Sequence, residues 1–341
     1  MIRVVIIESS APTRIDLAGG TLDIWPLYLF HEGAQTLNTA ISLRARARIE
    51  PRTDGIYAFR SLDTARQVDV PVGADLRGST ELKLLTLLAH AFLARAGTHD
   101  LASGFTLTTD CASPAGAGIA GSSALAVATG AAFARATGAE PDGEALLEIV
   151  KNVECQTINV PTGLQDYRPA LYGGTAAVEL RVDGPRRVPL PVPPRELEQR
   201  LVLCYTGAPR NSGTNNWEIT RRHLDGDRFI FDCFERIRDT AVTMRAALDR
   251  GDWDAVAAAL REEWTNRTRL APGVTTPAID ALLHAAGRAG ATAGKVCGAG
   301  GGGCLFCLTP PDRRDAVAAA LEAGGARLLP FSIETEGLQW Q

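Results

Sequence analysis

The chain has 341 residues, about twice the length of an ordinary domain, and this length predicts two domains. Hydrophobic residues make up 45% of the sequence and charged residues 22%, a balance that excludes a wholly disordered chain. The formal net charge of -4 leaves no global positive field for a phosphate backbone, so we expect no nucleic-acid partner. No apolar run reaches the ~18 residues that a membrane span needs, and we expect no membrane partner.

Hydrophobic periodicity predicts strands and helices mixed along the chain. A short apolar run at residues 4–7 indicates a first strand, and apolar residues alternate with polar ones over residues 45–50 and 105–109. Helical periodicity predicts helices over residues 81–95, 122–137, 144–154, 229–250, 255–264, 277–289 and 313–323. Strands and helices that do not alternate regularly predict an α+β fold and disfavour a TIM barrel.

A proline-rich segment marks the predicted domain boundary. Prolines crowd residues 185–194, which therefore cannot continue a helix or a central strand, and a new strand is expected over residues 201–205. We place the boundary after residue 192, so the predicted domains are residues 1–192 and residues 193–341.

The seven cysteines are an odd number scattered along the chain, which disfavours a disulfide framework and favours reduced thiols in the cytoplasm. Cys304 and Cys307 form a Cys-x-x-Cys pair in a short apolar run that follows a glycine cluster. In a strand, residues three apart point to opposite faces, so we interpret both as core cysteines rather than as a metal or redox pair.

Residues 114–125 form a glycine-rich stretch that leads into a predicted helix. The part from Gly116 to Gly121 matches the GxGxxG pattern of dinucleotide-binding turns, but the strand before it alternates apolar and polar residues, which disfavours that fold. A glycine loop at a helix N-terminus presents free backbone N–H groups and the positive end of the helix dipole, and both suit a phosphate chain. Ser122 and Ser123 are suited to bind Mg²⁺ or to cap the helix, and a plain serine cap is the alternative interpretation.

Glu154 occupies an unusual position on the helix predicted at residues 144–154. It follows Val150 by four residues and Leu147 by seven, so it shares their apolar stripe. Because burying an unpaired charge is costly, this carboxylate needs a partner. A divalent cation and an arginine are the two candidates.

Two further stretches complete a set of three motifs with residues 114–125. They are Ala11-Pro-Thr-Arg-Ile-Asp-Leu-Ala-Gly-Gly-Thr-Leu-Asp23, which we call motif one, and the glycine cluster at residues 295–303, which we call motif three. Residues 114–125 are motif two. The three together make the sequence resemble the GHMP kinase superfamily, which includes galactokinase, homoserine kinase, mevalonate kinase and phosphomevalonate kinase. Within it, residues 37–41, 163–167 and 205–210 are similar to the sugar kinase branch that includes the heptose 7-phosphate kinases. The sequence lacks an extra glycine of those kinases in motif one, and it has Ile119-Ala120 where a Leu-Gly pair is usual.

The resemblance implies a two-domain α+β fold, with an N-terminal ATP-binding domain like ribosomal protein S5 domain 2 and a ferredoxin-like C-terminal domain. It implies an ATP- and Mg²⁺-dependent kinase that transfers the γ-phosphate to a hydroxyl of a sugar or sugar phosphate. The alternatives are a mevalonate-type or other non-sugar alcohol kinase and a non-catalytic nucleotide-binding protein. We expect a small-molecule partner, with a homodimer as an open question.

The resemblance also implies the site residues. Asp166 is implied as the carboxylate that orients the acceptor hydroxyl, with a turn aspartate as the alternative, and Lys295 as a second catalytic residue. ATP is expected to contact Pro114, Gly116, Gly118, Gly121, Ser122, Ser123, Gly298, Gly300 and Gly301. Mg²⁺ is expected to bind Ser123 and Glu154. The acceptor is expected to contact Arg14, Asp23, Asn38, Asp166 and Arg210.

Overall fold

The computed structural model of the protein describes residues 6–95, 101–139, 141–209 and 212–340, without the side chains of residues 212–215. These residues form two β-sheets with helices packed against them, so the fold class is α+β as predicted. No helix in these ranges has the length and apolar character that crossing a membrane requires.

The elements follow in chain order. Up to residue 200 the strands are β1 (Ile7–Ala18), β2 (Gln35–Pro51), β3 (Ile56–Ser61), β4 (Arg66–Pro71), β5 (Phe105–Cys111), β6 (Thr175–Arg181) and β7 (Gly184–Pro189), and the helices are α1 (Lys83–Leu93), α2 (Gly121–Thr137), α3 (Gly143–Ile158), α4 (Tyr167–Tyr172) and α5 (Pro194–Arg200). Beyond it the strands are β8 (Leu201–Tyr205), β9 (Ala293–Val296), β10 (Cys304–Leu308), β11 (Arg327–Leu328) and β12 (Gln339–Trp340), and the helices are α6 (Ser212–Leu224), α7 (Arg228–Arg250), α8 (Trp253–Leu270), α9 (Pro277–Ala289) and α10 (Arg314–Ala323).

The first sheet is centred on the long strand β2. Its order is β12-β1-β2-β5-β3-β4, and β6 pairs with the beginning of β2 and carries β7. Neighbouring strands are antiparallel except β3 and β5. This arrangement disagrees with a dinucleotide-binding fold, whose sheet is mostly parallel. Pro185 and Pro189 fit β7 because it is an edge strand.

The second sheet is antiparallel with the order β11-β8-β10-β9. Helices α6 to α9 connect β8 to β9, and α10 connects β10 to β11, which gives the β-α-β-β-α-β succession of a ferredoxin-like domain. The predicted C-terminal fold is therefore confirmed. Cys304 and Cys307 of β10 belong to separate buried clusters, as expected for residues on opposite faces of a strand.

The last strand returns to the first sheet. β12 pairs with β1, where Trp340 lies opposite Ser9. One buried cluster also contains residues from both parts of the chain, including Ile15, Ile41 and Phe306. The two sheets thus share a packed core, and the boundary after residue 192 stays a prediction.

All seven predicted helices are present, with small shifts at most ends. Helix α8 is the main correction, because it ends at Leu270 and not at residue 264. Strands β1 and β2 are also much longer than predicted. Of the predicted first strand at residues 4–7, residues 4 and 5 lie outside the described ranges, and β1 begins at Ile7. Most of β1 and the first seven residues of β2 are continuously buried, so the alternation that marks a one-sided strand is missing there, whereas buried residues alternate with more exposed ones over residues 45–50 as predicted.

Small residues in α2 bring α3 close to it. A Cβ on Gly130 of α2 would lie only 2.6 Å from Cγ1 of Val150 on α3, so this position accepts no side chain while the helices keep their separation. The close contact sets Glu154, near the end of α3, beside Ser122 and Ser123 at the beginning of α2. Packing in the core thus determines which side chains meet.

Candidate active site

A cleft of about 340 Å³ lies between the glycine loop at residues 114–121, the end of α3 and the segment at residues 160–166 that leads into α4. Its wall also includes Arg14 and Asp23 from motif one. Gly298 from motif three completes the set. The three motifs therefore meet at one concave site, the usual setting for binding small molecules.

The loop before α2 has a conformation that favours glycine. Gly116 and Gly118 have φ values of 69° and 79°, in the left-handed region. Ala120 precedes the helix, and no side chain among the described residues caps its N-terminus. The N–H groups of the first turn and the positive end of the helix dipole thus stay available, and this arrangement fits a phosphate chain.

Motif three supports the glycine loop through backbone contacts. The N–H of Cys304 donates to the carbonyl of Ala117 at 2.6 Å. A Cβ on Gly303 would lie 2.6 Å from the same oxygen, so a side chain there would push the two loops apart. The glycines of motif three therefore serve close loop packing.

Glu154 is a buried carboxylate beside the loop, with 5% of the residue exposed. It accepts hydrogen bonds from the hydroxyls of Ser122 at 2.5 Å, Ser123 at 2.8 Å and Tyr167 at 2.7 Å. Burial raises the pKa of Glu154, and the hydroxyl donors act in the opposite direction. The predicted burial is confirmed, and the partners in the described chain are hydroxyls rather than an arginine. A carboxylate with two serine hydroxyls forms a set of hard oxygen ligands that fits Mg²⁺.

Asp166 lies on the cleft wall directly before α4, and 21% of its side chain is exposed. Arg14 donates to its Oδ1 from Nε at 3.0 Å and from Nη2 at 2.5 Å. Within the described chain no hydrogen bond reaches Oδ2, so that oxygen can accept one from a ligand. Arg14 also donates to the carbonyl of Gly118 at 2.9 Å, which links the carboxylate to the glycine loop.

Asp16 joins motif one to motif three, and the sequence analysis missed it. The side chain is fully buried and accepts hydrogen bonds from Lys295 at 2.6 Å and from the N–H of Gly298 at 2.9 Å. Burial alone would raise the pKa of Asp16, but the charges of Lys295 and Arg14 hold it well below its usual range. An acidic residue within an otherwise buried strand is the signal that could have identified it.

Lys295 lies away from the cleft wall, and the catalytic role predicted for it stays a prediction. The side chain is fully buried and does not line the cleft. Its ammonium donates to the carboxylate of Asp16 and, at 2.9 Å, to the backbone carbonyl of the same residue. This geometry assigns Lys295 to holding motif three against β1.

Asp23 anchors the segment that precedes Asp166. Its Oδ2 accepts hydrogen bonds from the N–H groups of Leu164 at 2.6 Å and Gln165 at 2.8 Å. A Cβ on Gly163 would lie 1.9 Å from that oxygen, so only glycine fits there. Burial raises the pKa of Asp23 to about 6, while the N–H of Gln165 acts in the opposite direction.

Most predicted site residues line the cleft. They are Arg14, Asp23, Pro114, Gly116, Gly118, Gly121, Ser122, Glu154, Asp166 and Gly298. Ser123 lies behind this wall with its hydroxyl on Glu154. The structure also adds Gln165, Thr21 and Asp63 to the lining, none of which the sequence analysis assigned.

Like Ser123, three other predicted contacts are not on the cleft wall. Asn38 is buried in β2 and donates to Thr36 Oγ1 at 3.1 Å. Gly300 and Gly301 pack against Val274, to whose carbonyl the N–H of Gly301 donates at 2.8 Å. Arg210, predicted to contact the acceptor, lies outside the described residues.

Family models match both parts of the chain. The model of the "GHMP kinases N terminal domain" matches residues 82–174, and the model "GHMP kinases C terminal" matches residues 244–327. Together they cover about half of the sequence, and they include motif two, Glu154, Asp166 and motif three.

Known proteins are similar over nearly the whole length. The D-glycero-alpha-D-manno-heptose 7-phosphate kinase of Campylobacter jejuni is 27% identical over 98% of both chains. The mevalonate kinase of Pyrococcus abyssi is 25% identical over 98% of this chain and 97% of that protein. The crystal structure of a D-glycero-D-manno-heptose 1-phosphate kinase from Bacteroides thetaiotaomicron superposes with a TM-score of 0.78, at 25% identity and 99% coverage of both chains.

The fold, the three motifs at one cleft and the family matches agree with one another. Both domain types occur in the expected order, and the full-length relatives are kinases of small molecules that carry hydroxyl groups. The chain therefore belongs to the GHMP kinases, and it is a phosphotransferase that acts on an alcohol group.

Proposed function

We propose that this protein transfers the γ-phosphate of ATP, bound with Mg²⁺, to a hydroxyl of a sugar or sugar phosphate. The observation that carries the proposal is the position of Asp166, whose Oδ2 can accept a hydrogen bond inside the cleft that the glycine loop also lines. A phosphate-binding loop and an oriented carboxylate are the two parts that phosphoryl transfer needs.

The nucleotide half of the cleft consists of the loop at residues 114–121, the beginning of α2 and Glu154. The first-turn N–H groups of α2 hold the phosphate oxygens. Glu154 with Ser122 and Ser123 would hold Mg²⁺, which would supply positive charge beside those oxygens. This half therefore offers N–H groups to the phosphate chain, and hydroxyls and a carboxylate to Mg²⁺.

The acceptor half consists of Asp23, Gln165 and Asp166. Oδ2 of Asp166 accepts the hydrogen bond of the reacting hydroxyl and takes its proton. At the same time the hydroxyl oxygen bonds to the γ-phosphorus, and the bond between that phosphorus and the leaving oxygen of ADP breaks. Arg14 fixes the carboxylate through Oδ1, so the other oxygen keeps its direction. The reaction is thus promoted by positioning rather than by a covalent intermediate.

Sugar acceptors are favoured because the relatives from Campylobacter jejuni and Bacteroides thetaiotaomicron are named heptose phosphate kinases. A mevalonate-type acceptor is the second candidate, since the relative from Pyrococcus abyssi is named a mevalonate kinase. The presence of Asp166, Glu154 and Ser123 together disfavours a non-catalytic binding protein. The cytoplasmic location and the homodimer stay predictions.

ADP release with Mg²⁺-ATP tests the proposal across aldoses, heptose phosphates, sugar acids, mevalonate and homoserine. We expect turnover with a sugar or sugar phosphate and none with mevalonate or homoserine. Turnover with mevalonate alone would replace the sugar by the second candidate. No turnover with any compound, in a protein that binds ATP, would support a binding protein instead.

Arg210→Lys tests whether the acceptor already carries a phosphate. A rise in KM for the phosphorylated sugar, with no rise for the free sugar, identifies an anion contact.

A further inference from the structure

Gln165 is a buried amide in the cleft wall with an unused acceptor atom. The residue is 7% exposed, and its Oε1 is buried without a hydrogen-bond partner in the part of the chain that the structure describes. It lines the cleft next to Asp166 in sequence. Leaving such an oxygen unpaired is costly, so a partner is expected in the working enzyme.

The neighbours of Gln165 hold it in place. Its backbone N–H donates to Oδ2 of Asp23 at 2.8 Å. A Cβ on Gly20 would lie 3.0 Å from the amide nitrogen of Gln165 and 3.1 Å from Nη2 of Arg267, so motif one leaves just enough room for both groups. Arg267 is itself fixed, because it donates to the carbonyl of Gly20 at 2.8 Å and pairs with Glu263. The terminal amide torsion is soft in glutamine, so Oε1 can reorient without a shift of the backbone.

The acceptor half therefore offers hydrogen-bond acceptors. Asp23 and Asp166 contribute carboxylates, and Gln165 contributes an amide oxygen. The one cation among the described cleft residues, Arg14, is already bonded to Asp166 and to the carbonyl of Gly118. A compound with several hydroxyl donors matches this set, whereas a hydroxy acid would bring its carboxylate beside two others.

We propose that Gln165 is a specificity-determining residue, which accepts a hydrogen bond from a second hydroxyl of the acceptor, close to the hydroxyl that Asp166 orients. The substrate class is then a polyhydroxylated sugar with at least two hydroxyls on neighbouring positions. This assignment rests on the proposed function, because it needs a sugar in the acceptor half. It goes further in naming the atom that distinguishes one sugar from another.

The test compares Gln165→Met with Gln165→Glu. Methionine keeps the length of the side chain without its acceptor, whereas glutamate keeps an acceptor oxygen. We expect Gln165→Met to raise the acceptor KM by about 10- to 100-fold, as for an unpaired buried group, and to leave the KM for ATP within about twofold. Gln165→Glu keeps an acceptor oxygen but sets a third carboxyl group beside Asp23 and Asp166, so its acceptor KM should lie between those of the parent and Gln165→Met. Gln156→Met, at an exposed glutamine on α3, is the matched control and should change neither KM.

Deoxy sugars identify the hydroxyl. With parent protein, one deoxy analogue of the best substrate should lose as much in kcat/KM as Gln165→Met loses with the intact sugar. In the Gln165→Met protein that analogue and the intact sugar should have the same kcat/KM. Every other deoxy analogue should lower kcat/KM by the same factor in both proteins. Calorimetric titration of the same sugars in the presence of MgADP should show the same pattern in Kd without turnover.

Equal acceptor KM and Kd for parent and Gln165→Met would overturn the assignment and leave a buried water as the partner of Oε1. An equal rise in KM for ATP and for the acceptor in Gln165→Met would overturn the assignment as well. If Gln165→Met does not unfold cooperatively, Gln165→Asn replaces it, since it withdraws the oxygen by one methylene and carries the same expectation. Parent protein that turns over no sugar rejects the proposed function itself, a result that does not depend on any Gln165 variant.

Discussion

The two halves of the cleft are built in different ways. The nucleotide half is mainly backbone from one continuous stretch, in which two glycines with positive φ lead into an uncapped helix. The acceptor half is made of side chains, and each is fixed by a residue distant in sequence, as Arg14 fixes Asp166. A backbone site recognises any phosphate chain, whereas a site of side chains changes specificity with single substitutions. The variants below test that division.

Asp166→Asn should give the largest effect. An amide cannot take the proton of the hydroxyl, so we expect kcat to fall by about 10²- to 10⁴-fold with an unchanged Kd for ATP. Asp63→Asn removes another carboxylate from the same cleft and should keep kcat within a few-fold. Single-turnover rates and nucleotide titrations measure both. Near-normal turnover of the Asp166→Asn protein would remove Asp166 from the chemistry.

Lys295→Met tests the contact between motif one and motif three behind the cleft. It leaves the buried carboxylate of Asp16 without its closest cation, which should lower the free energy of unfolding by about 3–5 kcal/mol. Lys151→Met, which breaks a surface pair with Glu148, should cost less than about 1 kcal/mol. Urea unfolding compares the two. A fall in kcat at unchanged stability would support the catalytic role that the sequence predicted for Lys295.

Gly118→Val should damage the nucleotide half much more than the acceptor half. A branched residue is strained at φ of 79° and obstructs the approach of phosphate, so we expect the Kd for ATP to rise about 10- to 100-fold. The acceptor Kd should change much less, because this position reaches Asp166 through the hydrogen bond from Arg14 to the carbonyl of Gly118. Gly138→Val is the control, since Gly138 has φ of 67° with open space around it, far from the loop at the other end of α2. If Gly118→Val is stable and raises the Kd for ATP and the Kd for the acceptor by the same factor, the division into halves is falsified.

Glu154→Gln should raise the Mg²⁺ concentration for half-maximal activity by about tenfold, because the site loses its anionic ligand. Glu148→Gln on the exposed face of the same helix should leave the titration unchanged. Metal titrations of parent and both variants measure this. Superimposed curves would make Glu154 a structural partner of its three hydroxyl donors.

Asp23 should give the smallest effect, seen as a pH dependence. Its pKa of about 6 means that about a tenth is ionised at pH 5, so the acceptor KM should fall about tenfold from pH 5 to pH 8. The folded state binds this proton more tightly than the unfolded chain, so Asp23 also lowers stability as the pH rises from about 4 to about 6. Asp23→Asn should flatten the KM profile and abolish that part of the Tm profile. Parallel profiles for both proteins would exclude Asp23 as the titrating group.

Local patterns in the sequence predicted much of this protein. Helix periodicity located seven helices, the glycine stretches located the loops, and the stripe of Val150 and Leu147 predicted that Glu154 is buried. These properties depend on neighbours within about one helical turn, so they can be read from the chain itself. The sequence prediction ended α8 too early because the buried face of its last turns carries Glu263, Asn266 and Arg267, which interrupt the apolar period.

Tertiary structure alone decided which distant groups meet. Asp16 and Lys295 lie far apart in the chain, and only the contact between β1 and motif three makes them a buried ion pair. Because of this contact, Lys295 lies behind the cleft wall and not on it. Gln165 looked like a spacer before Asp166 until the fold placed its amide oxygen, buried and unpaired among the described residues, in the cleft wall. A sequence states the chemistry of each side chain, but pairing and desolvation depend on packing between segments that no local pattern connects.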